Sequence, residues 1–275
     1  MDGPTQAHEA DRARLGAPRE RSRASSLVRA SRQAALGETK VSAPYPKPPW
    51  RTYGNGLAIP CIVPTHDVRV PDEFSVVSSM RRTLGMLVYL EYVEPSPVVH
   101  RQLLWLSAVV RCTDPSYRVP EGIGPKYYVA RMYSDSERSL EAARSEWALP
   151  NGLARFHRLG NRIEVNAEDG THLAFSWKPW GFRFHAPTQL ATLQKGLGRI
   201  VCFSAEGRAE VQLATYRLEA FESEHPEWRS FQKRLVLPGV ASHVRSFETS
   251  MRAPLEVARR LESIHPTPSL VSRLT

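Results

Sequence analysis

The sequence predicts an α+β protein built mainly on an antiparallel sheet that can close on itself, with a few short helices beside it. Apolar segments rich in β-branched and aromatic residues recur along the chain, and turns containing Gly, Pro or Asp separate them, which is typical of hairpins. Regular strand–helix–strand alternation, the pattern of a parallel sheet, is not seen. The predicted strands are 56–63, 85–93, 103–112, 126–133, 153–157, 162–166, 171–177, 200–203 and 210–221.

Three helices are predicted. The first follows Ser134 and Ser136, which are suitable N-cap residues, and it ends before Pro150. The second is predicted over 188–195 and the third over 254–263, with Pro254 at its first position. Residues 205–208 (AEGR) are predicted to form the turn of a hairpin between 200–203 and 210–221.

Composition limits the possible functions. The 275 residues are 41% hydrophobic, which is ordinary for a globular protein, and the net charge is +9. We predict no nucleic-acid partner, because the arginines are interspersed with Asp and Glu and form no basic face with exposed aromatics. The chain has no apolar run near ~18 residues and no signal-peptide core, so we expect no membrane partner and a cytoplasmic location.

Residues 1–43 are rich in Arg, Ala and Ser and are predicted to be a disordered tail. A single domain is predicted over 44–265, followed by a short C-terminal tail over 266–275. Cys61, Cys112 and Cys202 have no metal-ligand or redox spacing, so we expect three reduced, buried thiols. The nine histidines are scattered, and no metal or other cofactor is predicted.

Residues 133–156 resemble the signature of the acetoacetate decarboxylase family. The matching steps are YSDS at 133–136, ARSEWALP at 143–150 and LARF at 153–156. Residues 48–50, 57–63, 84–94 and 242–244 agree with other family segments, so the resemblance covers about residues 46–262. It implies a cone-like antiparallel β-barrel with flanking helices and an apolar cavity, and it implies a homo-oligomer.

The resemblance also implies catalytic positions, and these are altered. The family uses the lysine after the proline as a Schiff-base nucleophile, whose pKa is lowered by desolvation and a second lysine. Here Asn151 and Gly152 stand at those positions, Gln102 stands at that of a family Glu, and Asn55 at that of a family Arg. An amide cannot form an imine, so the usual reaction is predicted to be absent.

The hypothesis from the sequence is a small-molecule site for a β-keto or enolisable carboxylate, with non-imine chemistry such as cyclisation, dehydration, hydrolysis or tautomerisation in secondary or keto-acid metabolism. Two alternatives stay open: an inactive member that binds a ligand or assembles with a partner, and a decarboxylase using another lysine, such as Lys178. Asn151-Gly152 is also a common turn pair. The candidate catalytic residues are Asn151 and Gln102, and the candidate substrate-binding residues are Asn55, Arg131, Trp147, Gly152 and His157.

Overall fold

The computed structural model describes residues 45–120, 124–196, 198–236 and 240–258; the predicted tails lie outside these ranges. The described chain is mostly β-strand, with two short α-helices, α1 (Glu137–Ser145) and α2 (Arg229–Gln232), and 3-10 turns at Thr65–Asp67 and Pro226–Trp228. The strands are β1 (Trp50–Pro64), β2 (Phe74–Val76), β3 (Arg82–Val93), β4 (His100–Cys112), β5 (Lys126–Ser134), β6 (Asn151–Leu159), β7 (Arg162–Ala167), β8 (His172–Gly196), β9 (Arg199–Glu222), β10 (Leu235–Val236), β11 (Ala241–Met251) and β12 (Leu255–Glu256).

All twelve strands belong to one mixed sheet. Hydrogen-bonded neighbours run from β1 through β11, β9, β8, β7, β6 and β5 to β4, and β3 pairs with both β4 and β1. Most pairs are antiparallel, but β5 pairs in parallel with β6 and with β8. The sheet is therefore mixed, whereas the sequence predicted a predominantly antiparallel one. The physical reason is α1: it carries the chain back across the sheet between β5 and β6, and such a crossover makes the two strands parallel.

The second half of the chain differs most from the prediction. Residues 188–195 are the end of β8 and not a helix, and 200–221 is one strand of the β8–β9 hairpin rather than two strands. The turn lies at Gly198, whose φ of 75° suits glycine. Gly207 is not a turn residue but lies within β9, paired with β11. A side chain there would collide with the Glu248 carbonyl oxygen of β11. In the described part of 254–263, β12 replaces the predicted third helix.

Helix α1 is confirmed. Ser136 is its N-cap and accepts a hydrogen bond from the Ser139 amide at 3.3 Å. The helix ends at Ser145, five residues before Pro150, and the chain then passes through Ala148 with a φ of 53°. Ala142, Ala143 and Trp147 are buried. This segment therefore packs as an apolar stripe on the sheet and delivers the chain to β6.

The sheet has two buried faces. One, the filled face, carries Trp105 and Tyr133 and is closed by Trp228 and Phe231 from the region of α2. The other, the cavity face, carries Leu104 and Met132, and it includes the apolar side of α1. Because successive side chains on a strand point to opposite faces, neighbours such as Leu104 and Trp105 belong to different compartments. The three cysteines are free; Cys61 and Cys202 are buried as expected, whereas Cys112 is only half-buried.

Candidate functional site

A cavity of about 430 Å³ lies on the cavity face. Its lining residues come from β1, β3, β4, β5, β8, β9, β11 and α1. Strand register explains why the same residues meet there, since Val88, Leu104 and Met132 are direct partners across β3, β4 and β5. The lining is mostly apolar, and its side chains include Trp50, Met86, Val88, Leu90, Leu104, Met132, Trp147, Phe184, Phe203 and Phe247. This volume and lining are typical of small-molecule sites.

One polar cluster interrupts the apolar lining. It consists of Tyr92, His100 and Gln102, and each is at most 7% exposed. The Gln102 amide donates to the Tyr92 hydroxyl at 2.8 Å, and Gln102 Oε1 lies 3.3 Å from His100 Nε2. His100 Nδ1 lies 2.9 Å from the Val98 carbonyl oxygen, and the rings of Tyr92 and His100 are stacked at 4.5 Å. These contacts hold all three side chains in fixed positions on the cavity wall.

Burial determines the charge of this cluster. It lowers the pKa of His100 below its ordinary value of 6.5, and it raises the pKa of Tyr92 above 10. Imidazole and phenol are therefore both neutral at pH 7. Among the described residues that line the cavity there is no Lys, Arg, Asp or Glu. The remaining polar lining residues are Ser139, Thr188, Gln189, Ser242 and Thr249.

Asn151 lies on the cavity face but behind the lining. It is the parallel partner of Met132, and paired residues project to the same face. The Arg144 guanidinium donates to the backbone carbonyl oxygen of Asn151 at 2.8 Å. The backbone amide of Asn151 donates to the Leu149 carbonyl oxygen at 2.8 Å. Its side chain is fully buried, yet neither Oδ1 nor Nδ2 has a hydrogen-bond partner in the described part of the chain. An unpartnered buried amide costs about 1–3 kcal/mol, so this position favours a bound water or ligand atom.

The structure brings Gln102 and Trp147 together in the cavity lining and places Asn151 on the same face. It does not bring the other candidates to them. Asn55 accepts a hydrogen bond from Arg158 at 2.8 Å, away from the lining. Arg131 is paired with Asp169 at 2.7 Å. Gly152 faces Arg131, since a Cβ there would lie 2.9 Å from its Nη2, and His157 is exposed.

Sequence reasoning missed Tyr92 and His100. His100 and Gln102 are two residues apart at the start of β4 and so share a face, but the strand predicted from the sequence began only at residue 103. Tyr92 is the partner of His100 beside the β3–β4 turn. The register of that hairpin was needed to join the three residues.

Two other kinds of site, a reactive amine and a metal centre, have little support in the described part of the chain. Lys178, the alternative amine, is exposed. Within the described ranges, no group of three or more His, Cys, Asp or Glu residues could hold a metal ion. In the same ranges, neither helix has the length or the apolar character that crossing a membrane requires.

The mixed sheet and its apolar cavity define the architecture of the protein, and comparisons with known proteins specify its fold. No family model matches the chain. It is 22% identical over 210 residues to the protein NEOXANTHIN-DEFICIENT 1 of Arabidopsis thaliana, covering 75% of this chain and 68% of that protein. Among solved structures, it is similar to the enduracididine biosynthesis enzyme MppR with HEPES bound, with a TM-score of 0.53 and 14% identity over 80% of this chain and 91% of MppR.

An acetoacetate decarboxylase-like enzyme from Sphingomonas wittichii RW1 has a TM-score of 0.51 and 12% identity over 80% of this chain and 97% of that enzyme. The protein therefore has the acetoacetate decarboxylase-like fold. The resemblance found at residues 133–156 is confirmed at the level of the fold.

Proposed function

We propose that this protein binds a small, largely apolar compound with an enolisable carbonyl group in the cavity, and that it acts on this compound without forming a Schiff base. One observation carries the proposal: the neutral, hydrogen-bonded cluster of Tyr92, His100 and Gln102 lies in a mostly apolar lining that holds no charged side chain among the described residues. Hydrogen-bonding groups in a water-poor site can stabilise the oxygen of an enol or enolate. Keto–enol tautomerisation is the reaction that such groups support with the least additional machinery.

The absence of lysine among the described lining residues supports the non-imine part of the proposal. A Schiff base needs a free amine. The position that the sequence resemblance assigns to that amine holds Asn151, whose amide cannot supply it.

The charge of the cavity narrows the ligand class. The sequence predicted a carboxylate, but an ionised carboxylate without a cation is costly to bury. Arg131, the predicted partner of such a carboxylate, is engaged with Asp169. We therefore favour an uncharged β-diketone, β-keto ester or lactone over a free acid. MppR has been crystallised with pyruvate, which supports small-molecule binding by this fold.

The paired strands β1, β11, β9, β8, β5, β4 and β3 lead back to β1. We also infer that this circuit acts as the predicted barrel-like enclosure. Such an enclosure keeps water from the ligand and strengthens its hydrogen bonds.

The first test is binding. Acetylacetone, ethyl acetoacetate and acetoacetate are titrated into the full chain while the fluorescence of Trp50 and Trp147, which line the cavity, is recorded. We expect the uncharged compounds to bind about tenfold or more tightly than acetoacetate, and Gln102→Leu to weaken their binding, whereas Gln232→Leu, at an exposed position outside the cavity, keeps their affinity. Tighter binding of the acid would overturn the proposed ligand class. The Arabidopsis relative is named for a deficiency in neoxanthin, so that compound belongs in the same screen.

The second test is chemical trapping. Wild-type protein is incubated with acetoacetate and borohydride and examined by mass spectrometry, and we expect no adduct. Asn151→Lys is the positive control, because it restores an amine on the cavity face. A lysine adduct on the wild-type protein would show that imine chemistry is retained.

A ligand-binding protein without catalysis is the second candidate, favoured by the lack of any carboxylate base among the described lining residues. Deuterium exchange at the α-carbon of bound acetylacetone, followed by proton NMR, separates the two. Exchange faster than in buffer and lost in Tyr92→Phe supports an enzyme. Binding without accelerated exchange supports the second candidate.

A further inference from the structure

The contacts of His100 in the polar cluster determine which of its ring nitrogens carries a proton. His100 Nδ1 faces the Val98 carbonyl oxygen at 2.9 Å, and a carbonyl oxygen can only accept. Nδ1 must therefore carry a proton. A neutral imidazole has one N–H, so Nε2 is then an acceptor, whereas in the imidazolium both nitrogens donate. The protonation of His100 thus decides what its partner Gln102 must offer.

Gln102 transmits this choice to Tyr92. Beside an imidazolium, Gln102 Oε1 accepts from Nε2 and the amide NH₂ donates to the Tyr92 oxygen. The Tyr92 hydroxyl proton then has no acceptor among the described residues. The O and N of the amide exchange places on a 180° rotation, so the side-chain positions in the structure accommodate either orientation. Beside a neutral imidazole, the amide turns by 180°, its NH₂ donates to Nε2, and its oxygen accepts from the Tyr92 hydroxyl. Tyr92 can then only accept a hydrogen bond from a ligand in the cavity, through the lone pairs of its oxygen.

The surroundings of His100 favour the neutral form when the cavity is empty. The Tyr92 ring covers one side of it, and the Phe247 ring packs against Tyr92 at 5.6 Å. The charged neighbour acting on it is Asp135, whose carboxylate accepts from the Arg101 amide at 2.7 Å. Arg101 and Glu91 are paired with each other on the opposite face of β3 and β4, at 3.0 Å. Burial outweighs the attraction of Asp135 and keeps the pKa of His100 low.

We propose that Tyr92 is the residue that contacts the oxygen of the ligand, and that His100, acting through Gln102, sets whether Tyr92 presents a donor or an acceptor. The inference rests on the proposed function and deepens it. A ketone or enolate, which can only accept, binds together with one proton taken up by His100. An alcohol or enol, which can donate to Tyr92, binds without this proton. Tyr92 contacts the ligand, and His100 and Gln102 are positioning residues.

The experiment uses cyclohexanone and cyclohexanol, which have similar size and differ in donor capacity. Dissociation constants are measured from pH 5 to pH 8 by fluorescence on the full chain. The affinity for cyclohexanone is expected to fall about tenfold per pH unit above the pKa of His100, until the weaker binding of the neutral form takes over. The affinity for cyclohexanol is expected to stay constant. Calorimetry in two buffers of different ionisation enthalpy is expected to show uptake of up to one proton with cyclohexanone only.

Variants identify the residues. Tyr92→Phe and His100→Asn are each expected to abolish the pH dependence for cyclohexanone, and circular dichroism checks that they fold. His66→Asn, a mostly exposed histidine beside Asp67, is the matched control and is expected to keep it. Equal pH dependence for both probes, or its persistence in Tyr92→Phe, would overturn the inference and leave the proposed function standing. Failure of both probes to bind while acetylacetone binds would overturn the inference alone, and failure of acetylacetone as well would defeat the proposed function.

Discussion

The two faces of the sheet use the same strands for different purposes. On the filled face, the Trp105 indole donates to the Ser230 hydroxyl at 3.0 Å and packs edge-on against Phe231 at 5.1 Å. The Tyr133 hydroxyl joins Asp169, Thr171 and the Trp228 indole in one network. On the cavity face, by contrast, space remains, and the hydroxyl of Thr188 and both amide atoms of Asn151 have no partner in the described chain.

This difference shows where stability and function reside. A filled, hydrogen-bonded face stabilises the protein, whereas open space with unpartnered polar atoms is useful only when something binds. The division is not complete, because Tyr89 Oη and Trp177 Nε1 on the filled face also have no partner in the described part of the chain. The filled face nevertheless offers the larger packing energies, and mutations in adjacent residues can test this.

The largest expected effect is that of Trp105→Ala. Trp105 is fully buried among aromatic rings, so its removal leaves a void and an unpaired Ser230 hydroxyl. We expect a loss of about 3–5 kcal/mol in the free energy of unfolding, measured by urea denaturation. The matched variant, Leu104→Ala, enlarges an existing cavity and should cost about 2 kcal/mol. Equal losses in the two variants would contradict the contrast between the faces.

A smaller effect is expected for Tyr133→Phe, at about 1–3 kcal/mol, because it leaves Asp169 and the Trp228 indole without their shared partner. This network also predicts a pH dependence. Burial by itself would raise the pKa of Asp169, but hydrogen bonds from Tyr133, Thr171 and Arg131 outweigh burial and lower it.

The folded-state pKa of Asp169 is below the unfolded value of 3.8, so the stabilisation is present above pH 3.8 and is lost as pH falls through the folded pKa. Denaturation from pH 2 to pH 5 should show a steeper loss in the wild-type protein than in Asp169→Asn, which keeps the lowered pKa values of Glu164, Glu219 and Glu248. A parallel decline in both would assign acid sensitivity to other carboxylates.

The smallest expected effect, and one of opposite sign, is that of Asn151→Leu. Replacing a buried, unpartnered amide by an apolar group of similar size should raise the free energy of unfolding by about 1 kcal/mol. The same variant should bind acetylacetone more weakly. If it lowers stability without changing affinity, then the Asn151 amide is a structural group and not part of the site.

The sequence predicted the regions in which local pattern decides structure. Strands β3, β4 and β5 are continuous apolar runs bounded by turns, and α1 has its N-cap, so each was found. Strands β8 and β9 were misread because Pro179, Gly181 and Pro187 interrupt a strand of 25 residues that is held by pairing with β9. Pairing between distant segments overrides local propensity, and a single sequence does not display it.

The site residues likewise divide into those found from the sequence and those that required the strand pairing. The resemblance to a family led to Gln102 and Trp147, which do line the cavity, whereas the spatial contact of Tyr92 with His100 required the β3–β4 register. The cytoplasmic location and the homo-oligomer stay predictions.

The length of the connection between α1 and β6 sets the face of the sheet on which each β6 side chain lies. Side chains alternate between faces, so the number of residues between Ser145 and the start of β6 decides that Asn151 faces the cavity and Gly152 faces Arg131. Inserting one residue there would exchange the faces of positions 151 and 152. Every later side chain of β6 would also move to the opposite face of the sheet, unless the strand shifted its register. The length of this five-residue connection thus decides which side chain of β6 faces the cavity side of the sheet.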